Sequence, residues 1–324
     1  MFWTSCQLLA ALILLALGAE GLVRGSVGVA RRCGISSFFI GLTIVGFGTS
    51  TPELFTSIVA SLRGQTDIAV GNVVGSNIFN TALILGLTAL VCPIPVRLAV
   101  VRREVLVVIA ASVLPYLALS SGGVLGRPQG ALFLGLLGIY LIRGYRAGRR
   151  EGALEAALEQ ELEAELRLPV VKRPPGLVVN VVWIILGLAV LILGSRLLVH
   201  SSSALARSLG VSDLVIGLTI VAAGTSAPEL FTSIVAAARK QSDIAVGNIL
   251  GSNIFNLLGI LGTSALVTGQ RISGQLLWLD LPLMILLAVV LLPIVLTGAL
   301  ISRFEGAVLA LVYLAYLFTL YFLA

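Results

Sequence analysis

Residues 41–80 read GLTIVGFGTSTPELFTSIVASLRGQTDIAVGNVVGSNIFN, and residues 217–256 read GLTIVAAGTSAPELFTSIVAAARKQSDIAVGNILGSNIFN. The two stretches match at 31 of 40 positions without a gap, at an offset of 176. Thr49, Glu53, Asp67, Asn72, Ser76 and Asn80 stay in register with Thr225, Glu229, Asp243, Asn248, Ser252 and Asn256. Drift within an apolar composition would not preserve polar residues in this way, so the chain is an internal duplication. Weaker similarity at the same offset reaches back to Gly18 and Gly194 and sets Arg31 on Arg207.

The solvent around this duplication is lipid. Of 324 residues, 58% are hydrophobic and 11% charged, whereas a soluble domain carries about 25% charged residues. Mean hydropathy is +1.08. Lipid satisfies no backbone hydrogen bond, so spanning segments must be helices, and at roughly 20 residues each about ten fit. Apolar runs place them near 5–23, 38–62, 67–92, 99–119 and 124–142, then 177–199, 213–238, 243–268, 276–297 and 301–323. The first run has no basic residue before it, so it reads as a spanning helix rather than a cleaved leader. Five helices per copy is an odd number, which brings the second copy in from the opposite side. The expected fold class is an all-α membrane protein with ten transmembrane helices in two inverted five-helix repeats. The repeats cover 1–142 and 177–324, joined by a linker at 143–176.

Charge sets the orientation. With both termini outside a cell (inner) membrane, the cytoplasmic loops hold 16 of the 21 Lys and Arg residues, as the positive-inside rule requires. The net charge of +6 therefore belongs to membrane topology and not to nucleic-acid binding. Cys6, Cys33 and Cys92 lack metal or redox spacing and read as small apolar fillers. The linker runs from Arg143 through a glutamate-rich stretch to Pro174 and Pro175. It reads as a solvated, partly helical cytoplasmic segment, since its carboxylates lack the Gly-centred loop of a calcium hand.

Glu53 and Glu229 fall inside spanning runs, where an acid is costly and marks a functional site. Each follows a Gly-Thr-Ser-x-Pro run. Pro52 and Pro228 have no N–H to give the carbonyls of Gly48 and Gly224, so carbonyls near Gly46–Gly48 and Ala222–Gly224 are expected free. Thr49 and Ser50 precede Glu53 by four and three residues and share its helix face, as Thr225 and Ser226 do for Glu229. Asn72, Ser76 and Asn80 form a stripe spaced by four, repeated in Asn248, Ser252 and Asn256. The stripe can glue helices together beside Gly71 and Gly75, or Gly247 and Gly251, and can also bind. Carboxylate, hydroxyl, amide and carbonyl oxygens together suit a hard cation such as Ca²⁺ or Na⁺. Asn77 and Asn253 point off the stripe and read as structural. Asp67 and Asp243 read as helix caps, Glu20 as a local partner of Arg24, and Asp280 as an acid without a counterpart, Glu104 being the nearest analogue by position.

At these residues the chain resembles the cation/calcium exchanger superfamily, in its sodium/calcium exchanger branch. GTSTPELFTS with GNVVGSNIFN, and GTSAPELFTS with GNILGSNIFN, look like that family's two alpha-repeats. The resemblance implies cation ligation by Glu53, Thr49, Ser50, Ser76, Asn80 and the Gly46 carbonyl. In the second half it implies Glu229, Thr225, Ser226, Ser252, Asn256 and the Ala222 carbonyl. Some relatives carry aspartate at one of the two asparagine positions; here both are asparagine, which weakens the case for potassium coupling.

The resemblance further implies electrogenic antiport of about three Na⁺ for one Ca²⁺ by alternating access; the chain is expected to function as a monomer. No enzyme activity and no cofactor is expected beyond the transported ions. A Ca²⁺/H⁺ antiporter keeps the same fold with another coupling ion. A passive channel is disfavoured by the site being duplicated within one chain, and an intramembrane hydrolase by the lack of a nucleophile–base set.

Overall fold

The computed structural model describes residues 2–120, 124–166, 175–209, 222–271, 274–296 and 298–323. These are almost wholly helical: α1 (Phe2–Cys33), α2 (Ser37–Thr49), α3 (Thr51–Leu62), α4 (Thr66–Val91), α5 (Leu98–Ser120) and α6 (Arg127–Leu166) in the first half. In the second half are α7 (Leu177–Ser208), α8 (Ala222–Thr225), α9 (Ala227–Ala238), α10 (Ser242–Val267), α11 (Leu276–Leu296) and α12 (Arg303–Leu323). Among the described residues, six helices are long and apolar enough to cross a membrane: α1, α4, α7, α10, α11 and α12. The pair α2–α3, bent by 46° at Ser50, makes up to seven.

Residue type decides depth. The stripe-bearing helices α4 and α10 are 78% and 94% buried over their apolar windows, against 28% for α7 and 22% for α12. The polar stripes are thus interior, and leucine-rich faces of the outer helices meet lipid. Val70, Val73, Ile78, Ile249, Ile254 and Leu257 anchor the core that α4 and α10 share.

Equivalent helices pack antiparallel. Along α1 and α7, Gly18 lies against Gly187 and Leu191, Gly194 against Leu15, and Gly25 against Asn180 and Ile184. Numbers rise on one helix as they fall on the other. Further contacts come in pairs related by the offset of 176. A Cβ on Gly86 would lie 2.8 Å from the Gly306 carbonyl oxygen, and one on Gly130 would lie 2.6 Å from that of Gly262. The strands β1 (Ile94–Pro95) and β2 (Leu300–Ile301) pair antiparallel through Ile94 and Ile301. Their equivalents Gln270 and Leu125 form the matching bridge.

The helix α6 runs past 142 without a break to Leu166, so the 143–176 stretch is helical over its first part. Its Gly144, Gly148 and Gly152 pack on Phe39 and Gly34, the Ser36 N–H donates to the Gly148 carbonyl, and Glu155 pairs with Arg97. Asp67 and Asp243 stand in the first turns of their helices rather than at the cap positions, which Gln65 and Gln241 hold, and Asp243 pairs with Arg97 at 2.9 Å. Asp280 matches its positional analogue Glu104 in its partner as well. Tyr316 donates to it at 2.8 Å, and Tyr140 donates to Glu104, both residues displaced by 176. Glu20 pairs with Arg24 as expected, and also with Arg239, just past the C-terminal end of α9, at 2.9 Å.

Candidate cation site

The bend between α2 and α3 starts with the sequence Gly-Thr-Ser-Thr-Pro. Ser50 leaves helical geometry at ψ 8°, and α3 restarts with Pro52 in its first turn. There the missing N–H of proline costs nothing, because first-turn donors have no helical partner. Glu53 follows at once, and Glu229 takes the same place in α9 after Ser226, whose ψ is also 8°. Both glutamates are 1% exposed.

The two halves serve each other. The Ser50 hydroxyl donates to Glu229 Oε1 at 3.0 Å, and the Ser226 hydroxyl donates to Glu53 Oε1 at 2.9 Å. Thr49 donates to Asn248 Oδ1 at 3.1 Å, and Ser252 donates to the Gly46 carbonyl at 3.1 Å. Asn72 donates to the Glu53 carbonyl at 3.1 Å and to Ser57 at 2.8 Å; Asn248 does the same to Glu229 and Ser233 at 3.2 and 2.9 Å. These two asparagines fix the backbone of the glutamates. Ser57 and Ser233, their anchors, escaped the sequence reading although both are in the repeat.

The expected free carbonyls are corrected. The Gly46 oxygen accepts from the Ser50 N–H at 3.1 Å as well as from Ser252, and the Gly224 oxygen accepts from Ser195 at 2.6 Å. At Gly224 a side chain from another helix, Ser195, takes the place of the N–H that Pro228 removes, whereas at Gly46 the Ser252 hydroxyl adds a second donor to an intact helical bond. Thr225 closes α8 half-buried, and Ala222 opens it; the side chain of Ala222 and residues 217–221 of the repeat lie outside the described residues. Ser76 is buried at 7% exposure and Ser252 at 0%.

Asn80 and Asn256 each stand one residue into a π-helical turn, at Phe79–Ile84 and Phe255–Ile260. Such turns mark functional sites in many helices. Nothing in the residue types of these segments announces them.

Among the described residues, the buried oxygens without a hydrogen-bond partner include Glu53 Oε2, Glu229 Oε2, Asn80 Oδ1 and Asn256 Oδ1. They form two pairs related by the offset of 176. A buried polar atom left unpaired costs about 1–3 kcal/mol, and a buried carboxylate more. All four are acceptors, so the group that satisfies them must be positive or a donor. Two carboxylates and two amide oxygens match the oxygen preference of Ca²⁺ and Na⁺.

A family model described as Sodium/calcium exchanger protein matches residues 3–145 and 179–322. The chain is 39% identical to a putative antiporter, CaxA, of Alkalimonas amylolytica over 97% of each protein. It is 35% identical to the sodium/calcium exchanger MaX1 of Methanosarcina acetivorans over 98% of each. It superposes on a solved structure of the sodium-calcium exchanger NCX_Mj, soaked with zero Na⁺ and Ca²⁺, with a TM-score of 0.82, 30% identity and 98% coverage of both chains. Family model, full-length relatives and fold agree with one another, and the chain belongs to the sodium/calcium exchanger protein family of membrane antiporters.

Proposed function

We propose that this chain exchanges Na⁺ for Ca²⁺ by alternating access, and that Glu53 and Glu229 carry the cargo. The four unpartnered oxygens carry the argument. Two carboxylates neutralise one Ca²⁺, and Na⁺ ions need the same oxygens, so one load excludes the other. That competition couples the two fluxes without ATP. Thr49, Ser50, Ser76, Thr225, Ser226, Ser252 and the carbonyls of Gly46 and Ala222 complete the ligand set as the bend opens and closes. The ratio is about three Na⁺ per Ca²⁺, which moves net charge, as in the family plan of secondary antiport.

The antiparallel packing of α1 on α7 supports two inverted halves. In this reading α5, α6 and the broken α8–α9 segment complete ten spans in a cell (inner) membrane. Both termini lie outside, the 143–176 stretch is cytoplasmic, and one chain suffices for transport.

The test is radiolabelled Ca²⁺ uptake into proteoliposomes under imposed Na⁺, K⁺ and H⁺ gradients. An outward Na⁺ gradient should drive uptake that valinomycin-clamped voltage accelerates or slows. Uptake driven by a pH gradient and indifferent to Na⁺ would replace Na⁺ with H⁺ as the coupling ion.

A further inference from the structure

Asn77 and Asn253 look like packing residues in the sequence, yet each crosses to the opposite half. The Asn80 amide donates to Asn253 Oδ1 at 3.2 Å, and the Asn253 amide donates to the Thr81 hydroxyl at 2.8 Å. Asn80 and Thr81 are neighbours in the chain, so Asn253 grips two consecutive residues of one π-helical turn. With its amide nitrogen engaged, the Asn80 side chain is left with a free oxygen, the one counted among the four unpartnered atoms.

The equivalent grip in the other half is looser. Asn256 donates to Asn77 Oδ1 at 3.5 Å. Among the described residues the Asn77 amide donates to the Met284 sulfur alone, at 3.8 Å, and a thioether is a weak acceptor. The residue equivalent to Thr81 is Leu257, which has no hydroxyl.

We infer that Asn253 and Thr81 are positioning residues for ion binding: they hold the Asn80 side-chain oxygen toward the cargo, and they make the Asn80 half of the site the more rigid one. This rests on the antiporter reading above. A ligand oxygen held in place before binding does not have to be ordered by the ion, so its restraint shows in affinity rather than in turnover. Asn256, without a hydroxyl partner, is the ligand that adjusts.

Thr81→Val keeps the shape of the side chain and removes the acceptor. In proteoliposomes it should raise KM for Ca²⁺ about fivefold, the effect of one buried hydrogen bond, and leave kcat within about twofold. Thr81→Ser restores the hydroxyl and should return KM to the wild-type value. In an Asn80→Ala background, where the held oxygen is gone, Thr81→Val should add less than about twofold. Thr81→Val with an unchanged KM, or with a loss confined to the amount of active protein, overturns the positioning role when Asn80→Ala itself raises KM. An unchanged KM in Asn80→Ala overturns the site reading, and the proposal with it.

Discussion

Ser50 and Ser226 serve the glutamate of the other repeat, not their own. Each donates to a carboxylate more than 170 residues away in the chain, at 3.0 and 2.9 Å. A hydrogen bond to an ionised group contributes about 1.5–3 kcal/mol. Ser50→Ala should therefore raise KM for Ca²⁺ about tenfold or more, and Ser226→Ala should match it. Glu53→Gln and Glu229→Gln remove half the charge that faces a divalent ion. Losing one partner of a buried charge set costs about 3–5 kcal/mol, so each should cut Ca²⁺ flux at least a hundredfold. Flux assays on monodisperse protein check both, and wild-type rates in either glutamine variant would remove that acid from the site. The glutamates were legible in the sequence because an acid in an apolar run stands out and stands out twice. The crossed pairing was not: serine at three residues before Glu53 places a hydroxyl on the same helix face, and only the bend at Ser50 turns it to the opposite half. The expected free carbonyls failed for the same reason, since Ser252 and Ser195 arrive from helices whose position no local rule gives.

Charge marked 143–176 as a partly helical linker, and left unread that its helix continues α6 and packs against the bundle. The run Arg-Gly-Tyr-Arg-Ala-Gly-Arg-Arg-Glu-Gly spaces Gly144, Gly148 and Gly152 by four, which lines them on one helix face. That face is the surface α6 lays on the corner between α1 and α2. A Cβ on Gly152 would lie 2.6 Å from the Gly34 carbonyl oxygen, so the backbone would have to move. Glu155, Arg97 and Asp243 close the contact with ion pairs from three parts of the chain. Gly152→Leu overpacks this seam and should cost about 1–3 kcal/mol. The measurement is the thermal unfolding midpoint in detergent, where a fall of several degrees is expected and an unchanged midpoint would show that the seam opens freely. The π-helical turns at Phe79 and Phe255 were equally hidden, and for a different reason. Helix periodicity fixes the face of Asn72 and Ser76, but one extra residue in a turn is absorbed without any change of residue type.

At the scale of the whole molecule, two native cysteines test the orientation. Cys6 and Cys33 are both exposed and stand near opposite ends of α1. At 1.5 Å per residue they are about 40 Å apart, close to the thickness of a bilayer with its headgroups at about 40–45 Å. Each thiol therefore sits at a membrane surface if α1 crosses. With Cys92 and one of the pair replaced by serine, a membrane-impermeant maleimide applied to intact spheroplasts should label Cys6. Cys33 should react only after permeabilisation, since Arg31 and Arg32 beside it belong to the cytoplasmic set. Labelling of Cys33 alone would invert the orientation. Labelling of both from outside would mean that α1 does not cross. Because α7 lies along α1 with its residue numbers running the other way, that result would also remove the crossing of α7. The opposed entry of the two repeats, on which the paired glutamates of the proposed site depend, would go with it.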